Sequence, residues 1–431
     1  MARVLLVGSG AREHALAWAL SRSPHVDALV SAPGSDGTAE FSERRAVDAN
    51  DARAVADLAD EIGADLVVVG PEEPLVKGAA SAVRERGRLA FGPGTEAATL
   101  EGSKAWMKDV LVAGGVPTAR HATFAGPDDA DRAYEFLETL PGLYVVKTDG
   151  LAGGKGVIVT ESMTEAREAV RAYLTGNAFG DAGRTCVIEE GLTGPELSVF
   201  ALCDGRHAVA FAAAQDHKRA FDNDEGANTG GMGAYSPVPF APDSLVDEVM
   251  ERAIRPTLAE LARRNAEYRG VLYCGLMLTP DGIKVIEYNI RFGDPECQVL
   301  MPRLASDIYE HCYEAAAGRI ETPVRMRDDA CIGIVLAADG YPPAPVRTGD
   351  VISGLDAASA VEGVQIFHSG ARREGDDLVT NGGRVLTLTA LAPSIKEARD
   401  RGYEAAAKIS WPGLHYRRDI GAQALSPDPL G

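Results

Sequence analysis

Glu287 and Asn289 stand two residues apart at the end of a β-rich run, so on a strand both side chains leave the same face. Two hard oxygen donors at that spacing suit Mg2+, which keeps much of its shell for water and phosphate oxygens, and Mn2+ accepts the same donors. Arg291, Asp294 and Glu296 follow at once in the turn Arg-Phe-Gly-Asp-Pro-Glu, where a guanidinium fork can meet phosphoryl or carboxylate oxygens. The alternative, charges merely lining an edge, leaves this density of Glu, Asn, Arg and Asp unexplained.

Lys147 closes an apolar run and precedes the loop Thr148-Asp149-Gly150-Leu151-Ala152-Gly153-Gly154-Lys155-Gly156. Glycines such as Gly153 and Gly156 let backbone approach a triphosphate closely, and Lys147 and Lys155 supply the charge that attracts it. A β-rich run follows, where a P-loop would open a helix on Gly-Lys-Ser/Thr. A flexible hairpin with surface lysines is the competing reading. Glu189 to Leu192, with Glu196 and Ser198 beyond, fit a strand edge that takes adenine through backbone groups and ribose through a carboxylate; alone they would be a solvated acidic turn. Gln215-Asp216-His217-Lys218-Arg219 and the segment 228–237, opening on Asn228 and Thr229, look like walls of the same site, the second too glycine-rich for a regular element. His217 has no Ser or Cys nucleophile pattern beside it and reads as structural.

Gly8-Ser9-Gly10-Ala11-Arg12-Glu13 follows the first β-rich run, where Gly-x-Gly lets backbone N–H groups face a phosphate at a helix N-terminus. The third glycine of a dinucleotide fingerprint is replaced by Glu13, and the second strand ends in Ala32-Pro33-Gly34 without a ribose-binding acid. A smaller phosphate ester therefore fits better than NAD, with a plain tight turn as the remaining reading.

Positioning these groups takes several elements, and 431 residues leave room for about three domains. The first of them alternates short apolar strands at 4–7, 28–31, 66–69 and 89–92 with helices at 13–21, 55–62 and 75–86, the punctuation of an open parallel α/β sheet. A helical link at 101–113 leads into an α+β region, with strands at 144–147, 156–160, 185–189, 197–202 and 208–213, a helix at 164–174, a long helix at 245–264, and a hairpin at 271–288. More strands follow at 331–337, 363–369 and 384–391, then a helix at 395–409. The expected units are 1–102, 103–326 with a smaller lobe at about 120–192, and a mostly antiparallel β-rich 327–425 with a short tail at 426–431. A net charge of −20 repels nucleic acid and anionic lipid, so any bound phosphate needs a local cluster of donors. The six cysteines form no C-x-x-C pair and read as buried hydrophobes in a cytoplasmic protein.

Taken in order, Arg12-Glu13-His14-Ala15-Leu16, Val69-Gly70-Pro71-Glu72, Leu100 to Lys104, the loop ending at Gly156, Asp216 to Arg219, the segment 228–237, Arg291 to Glu296 and Thr380 to Arg384 resemble the phosphoribosylamine glycine ligase family of the ATP-grasp superfamily. The resemblance implies two central lobes that clasp ATP. It also implies a reaction in which glycine takes the γ-phosphoryl group and 5-phosphoribosylamine displaces it. By position, Lys104, Lys147, Gly153, Lys155 and Gly156 would contact ATP phosphates or adenine, Glu189 and Leu192 the adenine edge, and Glu196 the ribose. Glu287 and Asn289 would hold Mg2+ or Mn2+, and Arg291 would face the transferring phosphoryl oxygens. Asp294 and Asp216 would receive glycine and the amine, with Lys218, Asn228 and Thr229 as walls. Gly8, Gly10 and Arg12 would face the phosphoribosyl phosphate and Glu72 its ribose hydroxyls. Gly191 stands where the family usually has an aromatic residue, and Thr148, Gly154, Ala227 and Ile290 also depart from the usual pattern. The partners implied are small molecules, with neither nucleic acid nor membrane, and a monomer, with a dimer as the alternative. Competing readings are a related ligase for another carboxylate, a nucleotide-binding protein without catalysis, and an NAD dehydrogenase.

Overall fold

The computed structural model describes residues 2–151, 156–176, 184–342 and 345–426. Five parallel strands, β1 Ala2–Gly8, β2 Val26–Pro33, β3 Glu43–Arg44, β4 Leu66–Val69 and β5 Leu89–Phe91, form one sheet in the order β3-β2-β1-β4-β5. Val4 to Val7 are wholly buried, as expected of a strand covered on both faces. Registers Val7↔Val69 and Gly8↔Pro33 bring the ends of β1, β2 and β4 to one rim. The edge strand β3 has two exposed residues and no apolar signal to announce it.

A four-stranded antiparallel sheet, β6 His121–Ala125, β7 Tyr144–Thr148, β8 Val157–Thr160 and β9 Thr185–Glu190, runs β6-β9-β7-β8. Helices Ala130–Glu138 and Met163–Leu174 close a separate small core that includes Phe124, Leu137, Val146 and Ile188.

The remaining strands are β10 Glu196–Asp204, β11 Ala208–Asp216, the ribbon β12 Arg219–Phe221 with β13 Glu225–Asn228, β14 Gly233–Ser236, β15 Arg269–Thr279, β16 Gly282–Asn289, β17 Ala330–Ala337, β18 Val364–His368, the ribbon β19 Ala371–Glu374 with β20 Asp377–Thr380, and β21 Arg384–Ala392. Eight of them form one sheet in the order β16-β15-β10-β11-β14-β17-β21-β18. The third unit is therefore built onto the second through the β14–β17 pairing rather than joined by a linker.

That pairing corrects the expectation that 228–237 holds no regular element. Gly233 to Ser236 are buried mid-sheet, and a side chain on Gly233 would sit 2.6 Å from the Gly333 carbonyl and 2.7 Å from Ile420. Close strand packing demands the glycine that sequence reading takes for a loop signal.

Three expected helices are divided. Gly78, at φ +90°, separates Glu72–Val76 from Ala79–Glu85. Ser103, extended at φ −139°, ends Thr95–Gly102 and caps Lys104–Ala113 by accepting from Trp106 N–H. Between Asp243–Val249 and Arg255–Arg263 the chain widens into a π-turn, Met250–Ile254. Pro256 lacks an N–H and crowds the preceding turn, which the wider spacing accommodates.

Candidate active site

The β7 and β9 strands of the small lobe place Lys147 and Glu189 on one face, and the helix Lys104–Ala113 brings up Lys108. Lys147 Nζ and Lys108 Nζ each lie 2.8 Å from a different oxygen of Glu189, and Lys108 also donates to Thr118 Oγ1 at 2.7 Å. Burial pushes the Glu189 carboxyl up, but the two lysines outweigh it and hold it at about 2. Burial likewise lowers Lys108, to about 8. Sequence reading placed Glu189 at the adenine edge and missed Lys108; the Glu189 side chain takes part in this buried triad. Lys104 donates to the Gly150 carbonyl at 2.9 Å, and Asp149 accepts from Ser103 Oγ and Ala105 N–H, tying the loop to the helix start. Gly156 accepts from Thr148 N–H at 2.8 Å, while Gly153, Gly154 and Lys155 lie outside the described residues. Leu192 is half-buried just past β9. A side chain at Gly191 would run into Leu143, which already occupies that space.

Arg291, on the turn after β16, is the hub. It donates at 3.1 Å to Glu72, Glu101 and Asn289 Oδ1. Burial works against its charge and the two glutamates outweigh it. Glu101, missed by sequence reading, also accepts from Ile290 N–H at 2.8 Å; burial pushes its carboxyl up to about 7 despite Arg291. Glu72 responds oppositely, held at about 2 because Arg291 and Arg12 overcome its burial.

Lys218 lies 2.8 Å from Glu196 and 3.8 Å from Glu287. Burial disfavours charged Glu287, but Lys218, Lys147, Lys104 and Arg291 together keep its carboxyl below the usual range. Burial pushes Asp216 up to about 8, opposed by Lys218 and reinforced by Glu296, Glu196 and Glu287. Thr229 packs onto the Lys218 carbonyl through both N–H and Oγ1, at 2.8 and 2.9 Å, whereas Asn228 is exposed on its ribbon. His217 is buried, accepting from Gly421 N–H at 3.1 Å, a structural role as read from sequence.

At the N-terminal rim, Glu13 folds back on its own loop. It accepts from Gly10 N–H at 2.7 Å and from Arg12 Nε at 2.6 Å, and a side chain on Gly8 or Gly70 would collide with it. Arg12 also donates to the Phe292 carbonyl at 3.3 Å and lies 3.8 Å from Glu72. Asp294 accepts from Gln298 at 2.7 Å and reaches toward Gly10. From β21, Arg384 lies 3.4 Å from the Asp294 carboxylate and donates to the Gly230 and Asp294 carbonyls at 2.7 and 2.8 Å. Sequence reading gave Arg384 no role, although it closes the run Thr380 to Arg384.

Glu287 and Asn289 fit a divalent cation of hard preference: two oxygen donors share one strand face, and the Glu287 side chain is 39% exposed to the cleft. Among the described residues no cluster of three His, Cys, Asp or Glu gathers as a metal cage. No helix among the described residues is long and apolar enough to cross a membrane.

Family models match almost the whole chain: phosphoribosylglycinamide synthetase N domain over residues 2–101, its ATP-grasp (A) domain over 102–297, and its C domain over 331–423. The chain is similar to the phosphoribosylamine–glycine ligases of Caulobacter vibrioides, 51% identical over 98% of each chain, and Streptomyces coelicolor, 49% identical over 98% of this chain and 99% of the other. Its fold matches the crystal structure of phosphoribosylamine–glycine ligase from Thermotoga maritima, with TM-score 0.85, 34% identity, and coverage of 97% of this chain and 100% of that one.

Proposed function

The chain belongs to the phosphoribosylglycinamide synthetase family, and on that premise we propose that its cleft joins glycine to 5-phosphoribosylamine with ATP, in purine biosynthesis. The products are glycinamide ribonucleotide, ADP and phosphate. A carboxylate is a poor acyl donor. In the first step a glycine carboxylate oxygen bonds to the γ-phosphorus, and the bond from that phosphorus to the β–γ bridging oxygen breaks, releasing ADP and leaving glycyl phosphate. In the second, the amine nitrogen bonds to the acyl carbon, inorganic phosphate departs with its electron pair, and the nitrogen loses a proton.

The chain's task is positioning and charge neutralisation. Lys104, Lys147 and Lys155 flank the triphosphate, with Gly153 and Gly156 allowing the loop to approach. Leu192 and the backbone beside Glu189 take adenine, while the Glu189 carboxylate keeps Lys147 oriented. Glu196 takes the ribose. Glu287 and Asn289 hold Mg2+ or Mn2+, which when bound offsets phosphate charge. Arg291 meets the phosphoryl oxygens in flight. Asp216 and Asp294 receive glycine and the amine, with Lys218, Asn228 and Thr229 as the adjoining wall. Gly8, Gly10, Arg12 and Glu72 form the wall for the phosphoribosyl group.

The observation that carries this reading is the Arg291 fork, which joins Asn289 on the ATP side to Glu72 on the N-terminal rim through 3.1 Å bonds. The functional units we assign are 1–102, 103–326 with its small lobe at about 120–192, 327–425, and the tail 426–431. We place the enzyme in the cytoplasm as a monomer. Its six buried free thiols suit a reducing compartment. The test is a metal titration of Glu287→Gln. A raised Mg2+ requirement, with weakened MgADP binding and unchanged thermal stability, supports the assignment; wild-type activity at limiting Mg2+ removes Glu287 from the site.

A further inference from the structure

The N-terminal rim offers the phosphoribosyl phosphate less positive charge than its sequence suggests. Gly10 N–H and Arg12 Nε both point at Glu13, and the Arg12 Nη1 lies between the Phe292 carbonyl and Glu72. Arg291 is spread over Glu72, Glu101 and Asn289. A phosphate arriving here would find two arginines already faced by three carboxylates.

Arg384 differs. Its Nη1 alone makes every hydrogen bond the side chain forms among the described residues, to the carbonyls of Gly230, Gly231 and Asp294 at 2.7, 3.4 and 2.8 Å. Nε and Nη2 have no partner among the described residues, and the side chain keeps 21% exposure. The guanidinium lies flat against Gly230, 3.0 Å from where a Cβ would stand, so a larger residue at that position would displace it. Asp294 spans the gap: its Oδ1 is 3.4 Å from Arg384, and its Oδ2 lies 3.8 Å from the Cβ position of Gly10. One carboxylate thus separates Arg384 from the helix start at the N-terminal rim.

We propose that Arg384 belongs to the phosphoribosylamine subsite: Nη1 fixes the glycine-rich loop and the Asp294 turn, and the free Nε–Nη2 edge takes the sugar phosphate. A guanidinium edge with two parallel N–H groups matches two phosphate oxygens. The third unit of the chain would then supply a determinant of amine selection while making no contact with ATP.

This rests on the ligase reading above, and the experiment separates the two. Binding of D-ribose 5-phosphate and of MgADP is measured by calorimetry for the full-length wild type, Arg384→Gln and Arg384→Lys, alongside the KM of each substrate. Wild-type protein that binds MgADP but no ribose 5-phosphate, and shows no amine-dependent turnover, defeats the ligase reading itself. With the wild type active, we expect Arg384→Gln to bind ribose 5-phosphate at least tenfold more weakly and to raise the KM for the amine alike. MgADP affinity and the KM for ATP should stay within twofold, and Arg384→Lys should recover part of the loss. Equal weakening of both ligands, or a fall in kcat with the amine KM unchanged, overturns the proposal in favour of a loop clamp. Should Arg384→Gln fail to fold, Arg384→Lys still decides, since a point charge without the fork weakens ribose 5-phosphate binding selectively only if the fork contacts it.

Discussion

Lys147 and Glu189 lie 2.8 Å apart across neighbouring strands of the small lobe, and the opposite oxygen of the same carboxylate holds Lys108. One buried acid therefore pairs with two buried lysines, one on each of its oxygens. On the proposed assignment the arrangement would tie nucleotide binding to lobe stability, because Lys147 is held where the glycine-rich loop begins.

Glu189→Gln would leave Lys108 and Lys147 without their countercharge. We expect a loss of about 3 kcal/mol in stability, the usual size for breaking a buried pair by removing one partner. Lys108 should titrate still lower than its present value of about 8. Urea unfolding checks the first and an NMR pH titration of the Lys108 amine the second, while an undiminished ATP affinity would show that Glu189 does not orient Lys147.

Arg291→Lys keeps a positive charge but not the fork that reaches Glu72, Glu101 and Asn289 together. Removal of a preorganised donor aimed at developing charge typically lowers kcat by about 100- to 1000-fold. MgADP binding should change much less if, as proposed, Arg291 acts mainly in the transition state. Steady-state kinetics beside calorimetry would detect the split.

Glu101, pushed up to about 7 from 4.5 by burial, binds its proton more tightly folded than unfolded. Its contribution to stability is complete below pH 4.5 and is lost as the pH rises through 7. The loss is at most about 3 to 4 kcal/mol at about 1.4 kcal/mol per unit. Glu101→Gln should flatten the stability curve between these limits, as read from denaturant midpoints across pH.

His14 has the opposite sign. Buried against His368, whose backbone N–H it accepts at 2.8 Å, it is held neutral, its pKa lowered to about 3 from 6.5 by burial first and His368 second. The unfolded chain binds the proton more readily, so this stability is present above pH 6.5 and is lost as the pH falls toward 3. His14→Gln should shift the midpoint of acid unfolding to lower pH. An unchanged midpoint would mean that other groups set the acid limit.

Much of this site is legible in sequence because its chemistry is carried by neighbours in the chain. Glu287 and Asn289 alternate at the end of β16, so an extended strand must place them on one face, and Arg291 follows on the adjoining turn. The parallel sheet is equally plain in the continuous apolar runs of β1 and β4. What escapes reading is contributed from afar. Glu101 and Lys108 lie on two successive helices, and their pairing with Arg291 and Glu189 crosses 190 and 81 positions. Arg384, on β21, meets Gly230 across the sheet in which β14 and β17 join the two units, and no spacing in the sequence links the two positions. The Gly8 to Gly10 loop announces a phosphate, but the folding back of Glu13 onto Gly10 is a matter of side-chain rotamer that no spacing reveals.

The most direct test of the central claim is phosphate release from ATP and Mg2+ with glycine and freshly made 5-phosphoribosylamine, omitting each component in turn. The account predicts steady release only when glycine and the amine are both present, with glycinamide ribonucleotide formed in equal amount. Steady release with another carboxylate in place of glycine, or release indifferent to the amine, would contradict it.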